Sequence, residues 1–405
     1  MNDDLGLFED TTDERDRPVS GTTGRGGERR LVRRHRRIVL GAALSVLVLA
    51  VGSVLYGIGE LRERQEVPDY VGTGTAELVV QVKDGESLSA IGDTLFDRGV
   101  VASVRAFTIA AEADPRTRSV QPGYYQMRAE MSGSAAVTTL LDSSARVGRL
   151  EIRGGEQLDD VSLPDGTVVS GLLSELAKAS CARIAAEDTC VSAVQLRAAM
   201  GQVEPTELGV PNWAAGPMSR VEPNRRLEGI LVPGQYDVRP GSSAAELLEQ
   251  VTQTSVARLL TSGLPDSAAD TGYSPYEVLV IASIIEREAI ESDFGKVSRV
   301  IYNRLAEGLP LQMDSTINYP LDRQQVRTTA NDRARSGPYN TYLNTGLPVS
   351  PIGAPSAPAL AAAAAPDTGS WRYFVKCERD GTSCFSVTIE DHNVAVSDAV
   401  ARGIF

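Results

Sequence analysis

The segment SPYEVLVIASIIEREA, residues 274–289, decides more about the fold than any other part of this chain. Ser274 is a candidate N-cap, Pro275 takes the first helical position and Glu277 the third, which together make a capping box. The residues that follow are apolar on nearly every side, so the pattern predicts a helix that is buried in a core. Glu286 falls within this apolar run. The segment therefore predicts a buried helix that carries a carboxyl near its C-terminal end.

Glu286 is the first candidate for chemistry. Its neighbours one helical turn away are small or apolar: Ala282, Ser283, Ala289 and Ile290. Desolvation by such neighbours favours the protonated carboxyl, which is the form a general acid needs near neutral pH. A structural glutamate that reaches water or pairs with Arg287 or Arg304 is the competing interpretation. Glu288 lies two positions on, about 200° around the helix, so we expect it to make a structural contact elsewhere.

Composition narrows the class of protein. The 405 residues are 42% hydrophobic and 23% charged, which is enough for two or three packed domains. The formal net charge of −13 argues against a nucleic-acid partner, which would require a basic face. The two histidines, His35 and His392, are too few for a His-rich metal site, and no G-x-S-x-G segment is present to build a Ser-His-Asp triad with His392. We expect neither a metal nor an organic cofactor.

The N-terminal region predicts a membrane anchor. Residues 1–37 show no periodicity and end in a basic run, so we expect a disordered cytoplasmic tail. Residues 38–59 contain no charge, and as a helix they would span roughly 30 Å, one bilayer core. The positive-inside rule then places the N-terminus in the cytoplasm and the later residues outside the cell. A cleaved signal peptide is the alternative, although no clear A-x-A site is present. Residues 60–76 are a polar linker.

Residues 77–147 predict a small α/β module. Its expected elements are a strand at ELVVQV, a helix with Leu88, Ile91 and Leu95 on one face, a helix from Val104 to Ala111, a strand at PGYYQM and a helix from Ser134 to Leu141. The pattern VQVKDGESLSAIGDTL resembles a LysM-type carbohydrate-binding module. A generic packing module is the alternative interpretation.

The four cysteines form two local pairs. Cys181 and Cys190 lie within the Ala- and Leu-rich helices predicted over residues 171–200, and residues 201–226 read as loop. Cys377 and Cys384 flank a turn between the strands WRYFV and FSVTI, where facing residues of a hairpin reach the disulfide distance. Outside the cell both pairs would be oxidised. Four buried thiols are the alternative.

Two polar segments follow the long helix. Residues 296–305 predict a second amphipathic helix, closed by Gly308 and Pro310. The next segment is predicted to be non-helical and suited to hydrogen-bond sugar hydroxyls, and its polar residues are Gln312, Asp314, Ser315, Thr316, Asn318 and Tyr319. Residues 336–366 predict a long loop that carries Tyr339, Asn340, Thr341 and Tyr342 and ends in a short Ala-rich helix. Ordinary turn and loop connections are the alternative for both segments.

Several linked segments carry a specific resemblance. ASIIEREA, VSRVIYNRLAEGLPLQMDSTINY, PYNTYLNTGLPVSPIGAPS and WRYFV followed by HNVAV occur in one order. Together they resemble the YceG-like family of endolytic murein transglycosylases, over about residues 149–405. Upstream, LEGILVPGQYDV resembles the family segment L-E-G-x-L-F-P-D-T-Y. Val232, Gly234 and Gln235 stand where the family usually has Phe, Asp and Thr.

The resemblance implies a function and a site. Glu286 takes the position of the family's catalytic acid, and the activity would be cleavage of the bond between N-acetylmuramic acid and N-acetylglucosamine with formation of 1,6-anhydro ends. One carboxyl suffices for that reaction because the nucleophile is a hydroxyl of the substrate. Five residues would orient the sugars: Gln312, Asp314, Thr316, Asn340 and Tyr342. The implied partners are peptidoglycan strands, the membrane and synthases of the penicillin-binding type.

The expected architecture is therefore α+β: a single transmembrane helix at 38–59, a LysM-like module at 77–147 and a mixed α/β catalytic domain at 148–405. Two other functions stay open. A lysozyme-like hydrolase would use Asp314 as a second carboxylate. A non-catalytic peptidoglycan-binding scaffold of the cell-wall machinery would need only the module and the anchor.

Overall fold

The computed structural model describes residues 45–54, 67–321 and 328–404. The chain divides into two compact units, Met1–Val67 and Pro68–Phe405. In the first unit residues 45–54 are helical. The predicted cytoplasmic tail and the rest of the predicted membrane span lie outside the described residues. Across the three described ranges, no helix is both long and apolar enough to cross a membrane.

The N-terminal part of the second unit has its own hydrophobic core. Its elements are strands β1 (Glu77–Val82), β2 (Gly123–Arg128) and β3 (Arg146–Val147), and helices α1 (Leu88–Asp97), α2 (Val104–Ala113) and α3 (Gly133–Leu141). The strands form an antiparallel sheet in the order β1-β2-β3. Leu95, Phe107 and Met127 lie at the centre of this core. A serine caps each helix, and its side chain accepts a backbone N–H from the first turn. The strands and helices predicted here are confirmed.

A second, larger core contains the rest of the chain. Its helices are α4 (Leu172–Ala179), α5 (Ala193–Gln202), α6 (Asn212–Met218), α7 (Ala244–Thr261), α8 (Pro275–Glu288), α9 (Phe294–Ala306), α10 (Asp314–Asn318), α11 (Ala330–Arg333), α12 (Ala357–Ala364) and α13 (Ile389–Ala401). Its antiparallel strand pairs are β4 (Arg149–Ile152) with β9 (Gly234–Asp237), β5 (Val161–Ser162) with β6 (Val168–Val169), β7 (Arg183–Ile184) with β8 (Glu187–Asp188), and β10 (Tyr373–Lys376) with β11 (Ser383–Ser386). The described part of the protein is thus a mixed α+β fold, as expected.

Helix α8 is the centre of the larger core. The predicted capping box is confirmed, because the Ser274 hydroxyl accepts from the backbone N–H of Glu277 and the Glu277 carboxylate accepts from the backbone N–H of Ser274. Every residue from Val278 to Ile285 is buried. The helix packs on α9 and α12. Truncating a fully buried leucine or isoleucine in such a position costs about 2–5 kcal/mol of stability, so α8 is a rigid support for its C-terminal turn.

The structure corrects two sequence expectations. Residues 314–318, predicted to be non-helical, form the one-turn helix α10, whose first turn donates the backbone N–H of Ser315 to the distant Glu288 carboxylate. Residues 201–226, predicted to be loop, contain α6 with Ala214 and Met218 buried. Both helices are short and depend on tertiary contacts, so local propensity did not reveal them.

Both predicted cysteine pairs form disulfides. Cys181 is bonded to Cys190 across the β7–β8 turn, and Cys377 is bonded to Cys384. The second bond closes the predicted hairpin of β10 and β11, in which Cys384 is the register partner of Val375. These crosslinks tie two small hairpins that have little core of their own.

Candidate active site

Glu286 lies in the last turn of α8, half-buried rather than enclosed by apolar side chains. Its Oε2 accepts hydrogen bonds from the backbone N–H of Ser356, at 3.0 Å, and from the Ser356 hydroxyl, at 2.5 Å. Ser356 is the N-cap of α12. The carboxyl of Glu286 is therefore held at the N-terminus of α12.

The other carboxyl oxygen of Glu286, Oε1, lies against the backbone of Gly154. A β-carbon built on Gly154 would lie 2.2 Å from Oε1, far inside van der Waals contact. Gly155 adopts a φ of +75°, and its carbonyl accepts a hydrogen bond from Arg287 Nη1 at 3.0 Å. The turn after β4 thus approaches the end of α8 as closely as a backbone without side chains allows.

This glycine turn is fastened to the loop that precedes α12. The backbone N–H of Gly155 donates to the Ala354 carbonyl at 2.8 Å, and the N–H of Ala354 donates to the Glu156 carbonyl at 2.7 Å. The same loop is tied to α8, because the Ser283 hydroxyl accepts from the backbone N–H of Ile352 at 3.1 Å. Three segments therefore fix the Glu286 carboxyl: α8, the glycine turn and the loop before α12. The Glu286 carboxyl is thus anchored through Oε2, while Oε1 lies against the backbone of the glycine turn.

Glu288 has a separate environment, as the helical spacing predicts. Its Oε1 accepts the backbone N–H of Ser315 at 3.0 Å. Burial raises the pKa of Glu288, and the neighbouring negative charge of Asp314 raises it further. This carboxyl supplies the missing cap of α10 and so positions the polar segment that begins at Asp314.

Three of the five predicted sugar-binding residues lie in one neighbourhood with accessible polar atoms. The Tyr342 hydroxyl donates to Asp314 Oδ1 at 2.6 Å, and Arg333 lies 5.0 Å from the centre of the Tyr342 ring. Burial raises the pKa of Tyr342, as does the Asp314 carboxylate. Gln312 is exposed, and its Oε1 accepts from Arg304 Nη2 at 2.5 Å. The backbone N–H of Gln312 donates to the backbone carbonyl of Thr341, and this bond joins the two polar segments.

The other two predicted binding residues, Thr316 and Asn340, are buried. Thr316 is 0% exposed, and its hydroxyl is hydrogen-bonded to the Met313 carbonyl and to the Thr341 hydroxyl. Asn340 is 4% exposed; its amide donates to two backbone carbonyls and its oxygen accepts from the N–H of Tyr342 and of Leu343. In this structure both side chains hold the loop in place and do not face solvent.

Two residues that contact Glu286, Gly154 and Ser356, and one buried carboxyl elsewhere in the core, Glu228, were missed in the sequence. Gly154 follows β4 in the segment RLEIRGG, where two glycines in succession mark a close backbone approach. Ser356 precedes an Ala-rich helix, so the sequence could have predicted that it caps this helix. The sequence could not have predicted its contact with Glu286. Glu228 is 1% exposed, and burial raises its pKa to about 7. In the described ranges, no cluster of His, Cys, Asp and Glu side chains could hold a metal ion.

Comparison with known proteins agrees with this architecture. A family model described as the YceG-like family matches residues 80–398. The chain is 25% identical over 322 residues to a Bacillus subtilis (strain 168) protein named endolytic murein transglycosylase, an alignment that covers 78% of this chain and 83% of that protein. It is 24% identical over 348 residues to a Streptococcus pneumoniae (serotype 2, strain D39) protein of the same name, which covers 80% of this chain and 58% of that protein.

A solved structure shares the fold. The 2.6 Å crystal structure of a yceG-like protein from Listeria monocytogenes matches with a TM-score of 0.50 and 24% sequence identity, covering 79% of this chain and 99% of that chain. The family match starts inside β1, so most of the N-terminal module belongs to it, and the LysM-like resemblance of that module is not confirmed. Because the match runs through both hydrophobic cores and the Glu286 site, this chain belongs to the YceG-like family.

Proposed function

We propose that this protein is an endolytic peptidoglycan lytic transglycosylase with Glu286 as its catalytic acid and base. One observation carries the proposal: Oε2 of Glu286 is anchored by Ser356 while Oε1 is turned to the glycine turn at Gly154. Membership of the YceG-like family and two relatives named endolytic murein transglycosylase support it.

The proposed reaction needs one carboxyl. Glu286 in its protonated form gives its proton to the glycosidic oxygen between N-acetylmuramic acid and N-acetylglucosamine, and the bond from the muramoyl C1 to that oxygen breaks. The carboxylate then takes the proton of the muramoyl C6 hydroxyl, whose oxygen bonds to C1 and closes a 1,6-anhydro ring. Glu286 is thereby protonated again, and the proton that it gave remains on the hydroxyl of the released N-acetylglucosamine. Well-oriented intramolecular attack is worth about 7–11 kcal/mol of the barrier, which offsets the lack of a second carboxyl.

The substrate contacts divide into two groups. We propose that Gln312, Asp314 and Tyr342 contact the sugars, because their polar atoms are exposed or half-buried. Thr316 and Asn340 would contribute indirectly by holding the 311–316 and 339–343 segments in register. The Asp314 carboxylate already accepts from the hydroxyls of Tyr342 and Thr328, which suits an orienting role better than that of a free nucleophile.

The cellular setting follows from the substrate. Peptidoglycan lies outside the membrane, so the folded domain would be extracytoplasmic and residues 38–59 would anchor it. A short linker keeps a tethered domain close to the bilayer at high effective concentration. Cleavage there would shorten nascent strands and limit their elongation, and synthases of the penicillin-binding type would be its neighbours.

The proposal is tested on purified glycan strands. The ectodomain is incubated with strands and the new ends are analysed by mass spectrometry. Anhydro ends are expected, whereas ends that carry an added water would identify a lysozyme-like hydrolase, and persistent binding without cleavage would identify a scaffold.

Glu286→Gln is the matched variant. The amide keeps the shape and can accept from Ser356 but cannot give a proton, so we expect turnover to fall about 10²–10⁴-fold, the usual contribution of general acid–base catalysis. Glu291→Gln makes the same chemical change at an exposed site five residues on and is the control. Full activity of Glu286→Gln would remove this carboxyl from the mechanism.

A further inference from the structure

Glu228 is a buried carboxyl that the proposed reaction does not use. It is 1% exposed. Its Oε2 accepts from the backbone N–H of Leu158 at 3.2 Å and from the Tyr319 hydroxyl at 2.9 Å. Its Oε1 is also buried and has no hydrogen-bond partner among the described residues. A cavity of about 40 Å³ adjoins it, large enough for one water molecule. Burial of a carboxyl with one unpaired oxygen costs free energy, so a buried group of this kind is a candidate for a specific role.

Glu228 joins two segments, the glycine turn that touches Glu286 and the end of α10. Leu158 ends the glycine turn, in which Gly154 touches Glu286 and Gly155 bonds to the loop before α12. Gln157 in the same turn donates its side-chain amide to the Ile352 carbonyl at 3.2 Å. Tyr319 is the C-cap of α10, the helix that begins at Asp314. Glu228 Oε2 is thus a single acceptor shared by the glycine turn and the polar segment.

Charged and titratable groups surround this carboxyl from several elements. They are Arg197, Arg225, Tyr276, Arg287, Tyr319 and Tyr339. The arginines favour the ionised carboxyl, while burial opposes it more strongly and raises the pKa of Glu228 to about 7. Arg225 also lies 5.1 Å from the centre of the Tyr319 ring, so it packs on the same partner.

We propose that Glu228 is a positioning residue for the reaction at Glu286, because it holds Leu158, at the end of the glycine turn, to the buried Tyr319 and so fixes the turn whose Gly154 touches the Glu286 carboxyl. This inference rests on the proposed function. Glu228 does not contact substrate; it acts through Leu158 and Tyr319. Losing its side chain would release the turn and let Gly154 move away from Glu286.

The test uses three variants of the protein and a control. Glu228→Ala removes the shared acceptor, so the Leu158 N–H loses this partner and the Tyr319 hydroxyl keeps only its bond with Arg225. Glu228→Gln keeps an acceptor oxygen in the same place and puts an amide where Oε1 has no partner. Tyr319→Phe removes the hydroxyl, with its bonds to Glu228 and Arg225, and retains the ring against Arg225 and Tyr339. Glu207→Ala, at an exposed glutamate, is the control.

Two readouts are measured: strand cleavage as kcat and KM, and hydrogen–deuterium exchange of residues 153–158. Glu228→Ala should lower kcat about 10- to 100-fold with KM little changed, since a 1 Å misplacement of a catalytic group can cost about 10²-fold. Glu228→Gln should recover most of the turnover, and Tyr319→Phe should fall between them. Amide exchange over 153–158 should be faster in the alanine variant alone.

The outcomes separate the two proposals. If the wild-type protein releases no anhydro ends, the proposed function fails, while faster exchange in Glu228→Ala still supports the link between Glu228 and the turn. If the wild type cleaves and a folded Glu228→Ala keeps its kcat, positioning by Glu228 is overturned. If the alanine variant does not fold, Tyr319→Phe decides: wild-type kcat and exchange would overturn the inference, and a selective loss of kcat would support it.

Discussion

At the residue scale, Gly154 has the sharpest steric constraint beside Glu286. The nearest atoms to a β-carbon at this position belong to the Glu286 carboxyl, with Oε1 at 2.2 Å and Cδ at 3.0 Å. No backbone atom is among them, so the end of a flexible side chain would yield. Gly154 therefore controls where the carboxyl lies more than it controls whether the chain folds.

We predict that Gly154→Ala folds normally and loses about 10- to 100-fold in kcat, because the added methyl displaces the Glu286 carboxyl from its working position. The measurement combines cleavage kinetics with a thermal melt. Gly216→Ala is the control, since that glycine lies in α6 with open space around it. Unchanged kcat in a folded Gly154→Ala protein would show that the close contact between Gly154 and the Glu286 carboxyl is not needed for activity.

Gly234 explains one departure from the family pattern. Its φ is +147°, and a β-carbon there would lie 2.0 Å from Arg258 Nη1. The same guanidinium donates to the Gln235 carbonyl at 2.6 Å and lies 4.7 Å from the centre of the Tyr236 ring. In this chain an arginine from α7 fills the space that the usual aspartate would need.

At the element scale, Arg304 connects α9 to both neighbouring segments of the site. This 6% exposed guanidinium donates to the Pro310 and Arg372 carbonyls, each at 2.8 Å, and to the Gln312 side chain. Burial lowers the pKa of Arg304. The arginine thus holds Gln312 against the end of α9 and fixes the start of β10.

We predict that Arg304→Met lowers the free energy of unfolding by about 2–4 kcal/mol, because two half-buried carbonyls lose the hydrogen bonds that Arg304 donates. It should also raise the KM for glycan strands, since Gln312 loses its support. Urea unfolding and cleavage kinetics check the two effects. Arg379→Met, at an exposed arginine, should change neither; an Arg304→Met protein as stable as wild type would contradict this account.

At the scale of the whole molecule, the buried acid Glu228 predicts how stability depends on pH. Its pKa is raised from the ordinary 4.5 to about 7, so the folded state binds this proton more tightly than the unfolded state does. The sign follows directly. The contribution of Glu228 to the free energy of unfolding is fully present below pH 4.5 and declines as the pH rises toward about 7. Above that pH it no longer changes.

We predict that Glu228→Gln flattens the pH dependence of stability between pH 5 and pH 8. Titration of Glu228 changes the free energy of unfolding by up to roughly 3 kcal/mol, because each pH unit between its unfolded and folded pKa contributes about 1.36 kcal/mol. Urea unfolding of wild type and variant at pH 5, 6, 7 and 8 measures the difference. Glu288, whose pKa burial also raises, leaves a residual slope of the same sign in both proteins. Identical slopes would show that Glu228 does not titrate in this range.

Many elements of this fold could be predicted from the sequence, because they depend on residues that are close together along the chain. The cap and body of α8, the strands and helices of residues 77–147, and the hairpin that joins Cys377 to Cys384 depend on residues within a few positions of one another. The resemblance of linked motifs singled out Glu286. Capping boxes, hydrophobic periodicity and turn residues each involve only a short segment of sequence, so they can be recognised without knowledge of the fold.

Only the tertiary structure decided how Glu286 is held and which polar residues face solvent. Ser356 is 70 residues from Glu286 in sequence, and Gly155 is 132 residues from Arg287. The burial of Thr316 and Asn340, and the helix at Asp314, also depend on contacts across the chain. Such contacts form when rigid elements pack, and packing is set by the shapes of many side chains at once rather than by any local pattern. The sequence alone thus identifies Glu286 as the candidate catalytic carboxyl, and packing determines the environment in which it can work.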